Sequence, residues 1–197
     1  MRLTDVHAIQ YGDVLVARDR WPCYVHVVDH PRGRVLVDTG LIDSTPELDD
    51  EFSPRFDAHK IPRDVVLVVN THLHFDHCGG NRLFAGTPIY VQAREREAAR
   101  EPDYTVPEWV EFDGAEYVEL DGEAELLTGI RVVPTPGHTP GHQSVLVETD
   151  DGLVVVAGDV AYTWRDFDDA ANDAAATLTR LAPRRIWLAH ESGPRDS

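Results

Sequence analysis

The chain has 197 residues, a length that suits one well-buried domain, so we expect a single domain spanning 1–197. It carries 35 acidic and 18 basic residues, a formal net charge of -17, and no cluster of Lys or Arg, which argues against a nucleic-acid partner. Apolar runs at 65–69 and 153–157 are far shorter than the roughly 20 residues that span a bilayer, so no membrane partner is expected. Two cysteines far apart and an opening stretch that alternates like a strand predict a cytoplasmic protein.

Alternating and apolar stretches predict the strands. Residues 3–16 fit two short strands around a turn at 11–13, and hairpins are expected around residues 30–33 and 150–152. The other predicted strands lie at 65–69, 88–91, 117–120, 130–133 and 186–189.

The remaining segments predict helices and loops. Residues 92–100 favour a charged surface helix, and residues 168–181 favour an alanine-rich helix with one apolar face. A short helix is expected at 82–84, a surface loop or short helix at 41–60, and an irregular stretch at 102–114.

A cluster of metal-binding side chains follows the strand at 65–69. His72 and His74 project from the same side of an extended chain because side chains repeat every second residue, and Asp76 and His77 fall on the following turn. Imidazole nitrogen and carboxylate oxygen are the ligands that Zn²⁺ and similar divalent ions prefer. Asp38 also ends a predicted strand, and by spacing alone it is equally well a turn residue or a functional carboxylate.

Three further candidate ligands each follow a predicted strand directly, which gives seven in all: His72, His74, Asp76, His77, His138, Asp159 and His190. A catalytic zinc site takes three protein ligands, so seven predict two ions. We expect one ion on His72, His74 and His138, the other on Asp76, His77 and His190, and Asp159 between them. Two ions about 3.5 to 4 Å apart lower the pKa of a shared water from about 15.7 towards 7, which suits hydrolysis.

The run from Thr71 to Asn81, with Asp38 before it and the three later ligands after it, resembles the metallo-β-lactamase-like hydrolase superfamily over about residues 34–190. Within it, the motifs at 72–77, 135–144 and 159–163 are most similar to the quorum-quenching N-acyl-homoserine lactone lactonases. The resemblance implies an α+β fold, a four-layer αββα sandwich with two divalent metal ions at one sheet edge. Zinc is the expected metal, with iron, manganese or cobalt as alternatives.

The resemblance also implies an activity, the opening of a lactone ring by a metal-bridging hydroxide, with a small lactone or ester as the partner. Tyr162 by spacing alone is a packing residue, but the resemblance implies that its phenol stabilises the developing oxyanion. Asp76 would move the proton to the leaving oxygen. The chain is expected to be a monomer or a homodimer.

Aromatic residues bear on the substrate. We expect Phe75 and Trp164 to line an apolar pocket, and Trp21 and Phe52 to lie in the core. The alternatives are a thioester hydrolase of glyoxalase II type, which needs basic residues for glutathione, or another small-ester metallohydrolase. Outside this class, the alternative is a non-enzymatic metal-binding or redox module, which inertness of a metal-replete protein on every substrate would indicate.

Overall fold

The computed structural model describes residues 1–169 and 171–197, which form two β-sheets and short helices. The described strands are β1 Val6–Val16, β2 Asp19–His30, β3 Gly33–Val37, β4 Arg55–Phe56, β5 Leu67–Val69, β6 Pro88–Gln92, β7 Glu116–Leu120, β8 Ala124–Leu127, β9 Ile130–Pro134, β10 Gln143–Thr149, β11 Gly152–Val156, β12 Arg185–Trp187 and β13 Arg195–Asp196. The described α-helices are α1 Pro46–Phe52, α2 Phe75–Cys78, α3 Ala93–Ala98, α4 Pro107–Val110, α5 Trp164–Phe167 and α6 Asp173–Arg180. Short 3₁₀ turns lie at Leu3–Asp5, Ala58–Lys60, Asn81–Phe84 and Gly158–Val160.

Both sheets are mixed. The strand order is β4-β1-β2-β3-β5-β6-β7 in one sheet and β13-β12-β11-β10-β9-β8 in the other. Strands β3, β5, β6 and β7 are parallel neighbours, as are β11 and β12, while the hairpins β1-β2, β2-β3 and β10-β11 are antiparallel.

The core has three layers of apolar contact, which make the fold a four-layer αββα sandwich, as expected. Valines of β3, β5, β10 and β11 meet between the two sheets. The outer face of the first sheet is covered by side chains such as Phe84 and Trp109, and that of the second by Phe167 and Leu178. Because both sheets are buried on both faces, their central strands are continuous apolar runs.

The expected pair of strands at 3–16 is wrong, because β1 runs unbroken through the expected turn. Its register against β2 shifts between Gln10 and Gly12, which leaves Tyr11 as the extra residue of a β-bulge. Gly12 is required there, since a Cβ at that position would lie 2.2 Å from the Arg55 carbonyl oxygen of β4. The bulge turns Tyr11 inward, and its hydroxyl donates to the Asp76 backbone oxygen at 2.6 Å. A local distortion of β1 therefore supports the histidine cluster.

Two expected helices also differ. The helix expected at 92–100 is shorter, and it is not a surface helix throughout, because Glu95 and Arg96 are buried. The helix expected at 168–181 includes residue 170, which lies outside the described residues. Its described part, α6, begins after Asn172, whose side-chain oxygen accepts from the Ala175 N–H at 2.9 Å. Within the described residues, no helix has the length and apolar character needed to cross a membrane.

The topology places four strand ends at one edge of the sandwich. The carboxyl ends of β5, β9, β11 and β12 lead to His72, His138, Asp159 and His190. The Gln143 N–H donates to the Thr71 carbonyl oxygen at 2.9 Å, which links the two sheets at this edge. The candidate ligands are thus anchored by both sheets.

A buried histidine of β2 gives a test of the fold. His26 lies edge-on to Trp187 with ring centroids 5.7 Å apart, and its Nε2 has no hydrogen-bond partner among the described residues. Burial lowers the pKa of His26 from 6.5 to about 3, and repulsion from His77 and His7 adds to the shift. The folded protein therefore keeps this ring neutral while the unfolded chain gains a proton below pH 6.5.

We predict that His26→Leu makes stability less dependent on pH. Because the folded-state pKa is lowered, the native ring costs stability as the pH falls from about 6.5 towards 3, by up to about 1.4 kcal/mol per pH unit. Urea unfolding at pH 7, 6, 5 and 4 measures that slope, with His59→Leu at an exposed position as the control. A slope equal to that of the unsubstituted protein would contradict the prediction.

Candidate metal centre

Three histidines from two loops converge on one point. His72 Nε2 and His138 Nε2 lie 3.1 and 2.9 Å from His74 Nδ1, and we call these residues the three-histidine group. A neutral imidazole carries one N–H, so three converging ring nitrogens cannot all satisfy one another. Burial lowers the pKa of each ring, that of His138 to about 4, which keeps them in the neutral form that binds metal ions.

Two carboxylates and two histidines form an adjoining acidic group. Asp76 Oδ2 lies 3.7 Å from His77 Nε2 and 3.6 Å from His190 Nε2. Asp159 Oδ1 lies 3.3 Å from His77 Nε2, and its Oδ2 lies 3.4 Å from His190 Nε2 and 3.6 Å from His138 Nε2. Asp159 is therefore the member of the acidic group that also contacts the three-histidine group.

The two groups differ in electrostatics. Burial alone would lower the pKa of His77 and His190, but the Asp159 carboxylate, with its neighbours, raises both well above the usual value. Burial would raise the pKa of Asp159, and the same two histidines outweigh it and lower that pKa well below its usual value. The acidic group thus favours positive charge at its centre, which a divalent cation supplies.

The donor atoms fit metal ions. His77 Nε2 and Asp159 Oδ1 are buried with no hydrogen-bond partner among the described residues, and such atoms are costly unless something binds them. The opposite ring nitrogens have partners: Thr71 Oγ1 for His72 at 3.1 Å, Asp38 Oδ2 for His77 at 2.8 Å, Tyr162 Oη for His138 at 3.1 Å and the Pro22 carbonyl for His190 at 3.0 Å. Histidines that bind metals are oriented in this way.

Asp38 lies behind the cluster. Its Oδ1 accepts from the Thr71 N–H at 2.7 Å, and its Oδ2 accepts from the Thr71 hydroxyl at 2.8 Å and from His77 Nδ1 at 2.8 Å. Asp38 adopts a left-handed backbone with φ +62°, which directs its carboxylate to this point. Of the two interpretations of Asp38, the structure favours the functional one, since the side chain orients His77.

His142 positions the backbone of a candidate ligand. Its buried Nε2 accepts from the Asp159 N–H at 3.1 Å, while its Nδ1 lies 2.9 Å from Thr135 Oγ1. Gly158 must lack a side chain, because its φ is +61° and a Cβ would lie 2.8 Å from His142 Nε2 and from Thr71 Cβ. The small Gly158 and the hydrogen bond to His142 therefore allow the backbone to place Asp159 beside both groups.

Cys23 lies behind His190, which sequence reasoning did not anticipate. Its sulfur is 3.8 Å from His190 Nδ1 and 4.0 Å from Asp76 Oδ2. Burial raises the pKa of the Cys23 thiol, and Cys23, Asp76 and His190 lie close enough together to offer ligand atoms to one ion.

A cavity of about 290 Å³ opens on the cluster. Its apolar wall consists of Val14, Val16, Trp21, Phe52 and Phe75. Trp21 and Phe52, expected in the core, pack against the core of the first sheet's outer face and also line this cavity. The expectation that Trp164 lines the pocket is wrong. Trp164 packs against Phe167 and lies under the Arg195 guanidinium, whose Cζ is 4.4 Å from the Trp164 ring centroid.

Tyr162 stands at the wall of this cavity. It is 38 % exposed, and its ring centroid is 5.1 Å from that of Trp21. Burial, with the Asp159 carboxylate, raises the pKa of Tyr162 to about 12, so the phenol keeps its proton at neutral pH. The structure thus brings together all seven expected ligands and Tyr162.

A model of the metallo-beta-lactamase superfamily matches residues 18–190, and the chain belongs to that superfamily. Its relatives include an N-acyl homoserine lactonase of Bacillus cereus, 33 % identical over 169 residues that cover 75 % of this chain and 67 % of the relative. The lactonase AttM of Agrobacterium fabrum is 28 % identical, with 84 % of this chain and 75 % of the relative covered. A solved N-acyl homoserine lactone hydrolase, with N-hexanoyl-L-homoserine at its catalytic metal centre, superposes with a TM-score of 0.81 and 25 % identity over 98 % of this chain and 95 % of that one.

We predict that Asp38→Asn weakens metal binding. Asparagine has one acceptor oxygen, which cannot accept from both the Thr71 N–H and His77 Nδ1 as the two oxygens of Asp38 do. With that oxygen towards Thr71, the His77 ring loses the partner that keeps its Nε2 free for an ion. The affinity for one of two ions should fall about 10- to 100-fold, measured by competition with a chromophoric chelator. Asp50→Asn on the exposed face of α1 is the matched control, and equal affinities in the two variants would contradict the role of Asp38.

Proposed function

We propose that this protein is a metal-dependent hydrolase that opens the lactone ring of N-acyl homoserine lactones, a quorum-quenching activity. The observation that carries the proposal is the apolar cavity, which meets the candidate metal ligands and Tyr162 at one end. An acyl chain fits the apolar wall, and the lactone carbonyl then lies at the polar end. No Lys or Arg is among the described residues that line the cavity, so glutathione recognition as in glyoxalase II finds no support there.

We propose two divalent ions, zinc by preference, since imidazole and carboxylate also accept iron, manganese and cobalt. The three-histidine group would hold one ion. The acidic group would hold the other, with Asp159 shared. When bound, such ions polarise the ester carbonyl and make hydroxide available at neutral pH.

Tyr162 would act on the carbonyl oxygen. With Nε2 of His138 on the metal side, its Nδ1 is protonated and donates to the phenol oxygen. This bond leaves the phenol proton directed elsewhere, so Tyr162 can donate it to the substrate. A donor aimed at the oxygen that gains negative charge stabilises the transition state.

Asp76 would move the proton. Water adds its oxygen to the carbonyl carbon, the ring C–O bond breaks, and the ring oxygen must gain a proton for the hydroxy acid to form. The Asp76 carboxylate lines the cavity beside His190, where it can take the proton from water and give it to the ring oxygen.

A cytoplasmic location agrees with the two buried free cysteines, Cys23 and Cys78, which a reducing compartment keeps as thiols. A monomer or a homodimer remains the prediction for the oligomeric state.

The experiment that tests the proposed function is metal analysis combined with a substrate panel. The zinc-loaded protein should hydrolyse N-acyl homoserine lactones faster than simple esters, a glutathione thioester or a β-lactam, and a strong chelator should abolish the activity. A metal-replete protein inert on every lactone would refute the proposal, and a preference for the thioester would indicate the glyoxalase II type.

We predict that Tyr162→Phe lowers kcat on a lactone by about 10²-fold with little change in KM, because the lost donor acts mainly in the transition state. The Phe ring keeps the packing against Trp21. Tyr90→Phe, in the core between the sheets, is the control. Unchanged kcat/KM in Tyr162→Phe would remove the tyrosine from the mechanism.

We predict that Phe52→Ala impairs long acyl chains more than short ones. Phe52 packs on Phe75 with centroids 4.9 Å apart and lines the cavity, and each methylene buried there contributes about 0.8 kcal/mol. The ratio of kcat/KM for ten-carbon over four-carbon lactones should fall about tenfold. Leu181→Ala, an exposed residue after α6, is the control, and equal ratios in both variants would place the acyl chain elsewhere.

A further inference from the structure

We propose that Glu95 is a positioning residue that sets the spacing of the three-histidine group by binding the two loops that carry it. This inference rests on the proposed two-ion centre. Glu95 lies on α3, is fully buried, and does not itself reach the candidate ligand atoms.

The Glu95 carboxylate accepts four hydrogen bonds. Its Oε1 accepts from the Leu73 N–H at 2.9 Å and from the Tyr104 hydroxyl. Its Oε2 accepts from the Thr139 hydroxyl at 2.7 Å and from the Gly141 N–H at 3.1 Å. Hydrogen bonds to a buried charged group stabilise a structure more than hydrogen bonds between neutral groups. All four donors are bound by the one Glu95 side chain.

The donors flank the histidines. Leu73 lies between His72 and His74 in the chain, and Thr139 directly follows His138. Tyr104, which also binds Glu95, packs its ring against His74 with centroids 5.0 Å apart. One carboxylate therefore joins the two loops whose ring nitrogens approach to 2.9 and 3.1 Å.

The backbone packing leaves little freedom for this contact to relax. A Cβ on Gly141 would lie 2.2 Å from the Glu95 backbone nitrogen, so α3 is seated directly against the loop that follows His138. A change at Glu95 is therefore transmitted to that loop and not absorbed by a gap.

The four donors require a carboxylate at this position. In Glu95→Gln, one amide oxygen accepts as before, but the NH₂ group replaces the other oxygen. A hydroxyl can rotate to accept from NH₂, whereas a backbone N–H cannot. Each oxygen of Glu95 faces one backbone N–H, from Leu73 or from Gly141, so in either orientation the amide NH₂ is set against one backbone N–H that can only donate.

The test is a chelator competition on the zinc-loaded protein, with Glu95→Gln, Glu97→Gln and the unsubstituted chain measured together. Glu97 is exposed on the same helix and is the matched control. We expect Glu97→Gln to keep both ions. Glu95→Gln should bind one of the two ions about 10- to 100-fold more weakly and the other within about threefold of the unsubstituted protein.

The outcomes separate the inference from the proposed function. If Glu95→Gln keeps both affinities, or loses both equally, its role is not the positioning of one ligand group, and the inference is wrong. If the unsubstituted protein binds no metal, the proposed function fails instead.

If Glu95→Gln does not fold, Thr139→Val is the variant that tests the inference. It removes one donor and keeps the carboxylate, so the same ion should bind about tenfold more weakly. Unchanged affinity in Thr139→Val would then overturn the inference.

Discussion

The hydrogen bond from His77 to Asp38 is the constraint on which the candidate site depends. A neutral imidazole has a lone pair on one nitrogen only, so the partner of Nδ1 decides whether Nε2 faces the centre as a ligand or as an N–H donor. The Asp38 carboxylate accepts one hydrogen bond from His77 Nδ1 at 2.8 Å and another from the Thr71 hydroxyl. The Thr71 hydroxyl oxygen can in turn accept from His72 Nδ1. One buried carboxylate thereby fixes the tautomer of two histidines, one in each group.

That constraint works only because the fold fixes the position of Asp38. The residue follows β3, its N–H donates to the Val69 carbonyl of β5 at 2.8 Å, and β5 leads directly to Thr71. The parallel neighbours β3 and β5 thus place the Asp38 carboxylate and its hydrogen-bond donors at the same edge of the first sheet. The second sheet contributes His138 and Asp159 from the ends of β9 and β11, so the site lies at the seam of the sandwich, where a shift of one sheet against the other would separate the two groups.

The sequence predicted the parts of this arrangement that local chemistry determines. Strands end where apolar runs end, and imidazoles crowded at such ends indicate a metal, so the seven candidate ligands could be named from residues 72–190. Asp38 ends a strand as well, which is a signal that spacing alone left ambiguous. The role of Glu95 could not be predicted, because a glutamate in a charged helix is expected to be exposed to solvent. Only the structure shows that the backbone N–H groups of Leu73 and Gly141 donate to it. The bulge at Tyr11 and the placement of Trp21 likewise depend on tertiary contacts.

Most of the cavity wall comes from elements that carry no candidate ligand. Val14 and Trp21 belong to the first hairpin and Phe52 to α1, and none of these elements carries a candidate ligand. Substitutions in that wall can therefore change which acyl chain fits without moving Asp38 or Glu95, the two carboxylates that orient the histidines. There are two exceptions. Phe75 lies on α2 beside Asp76, and Tyr162 touches Trp21 on one side and His138 on the other. A change in the wall at Trp21 consequently reaches the chemistry through this phenol, so specificity and rate are coupled at that contact.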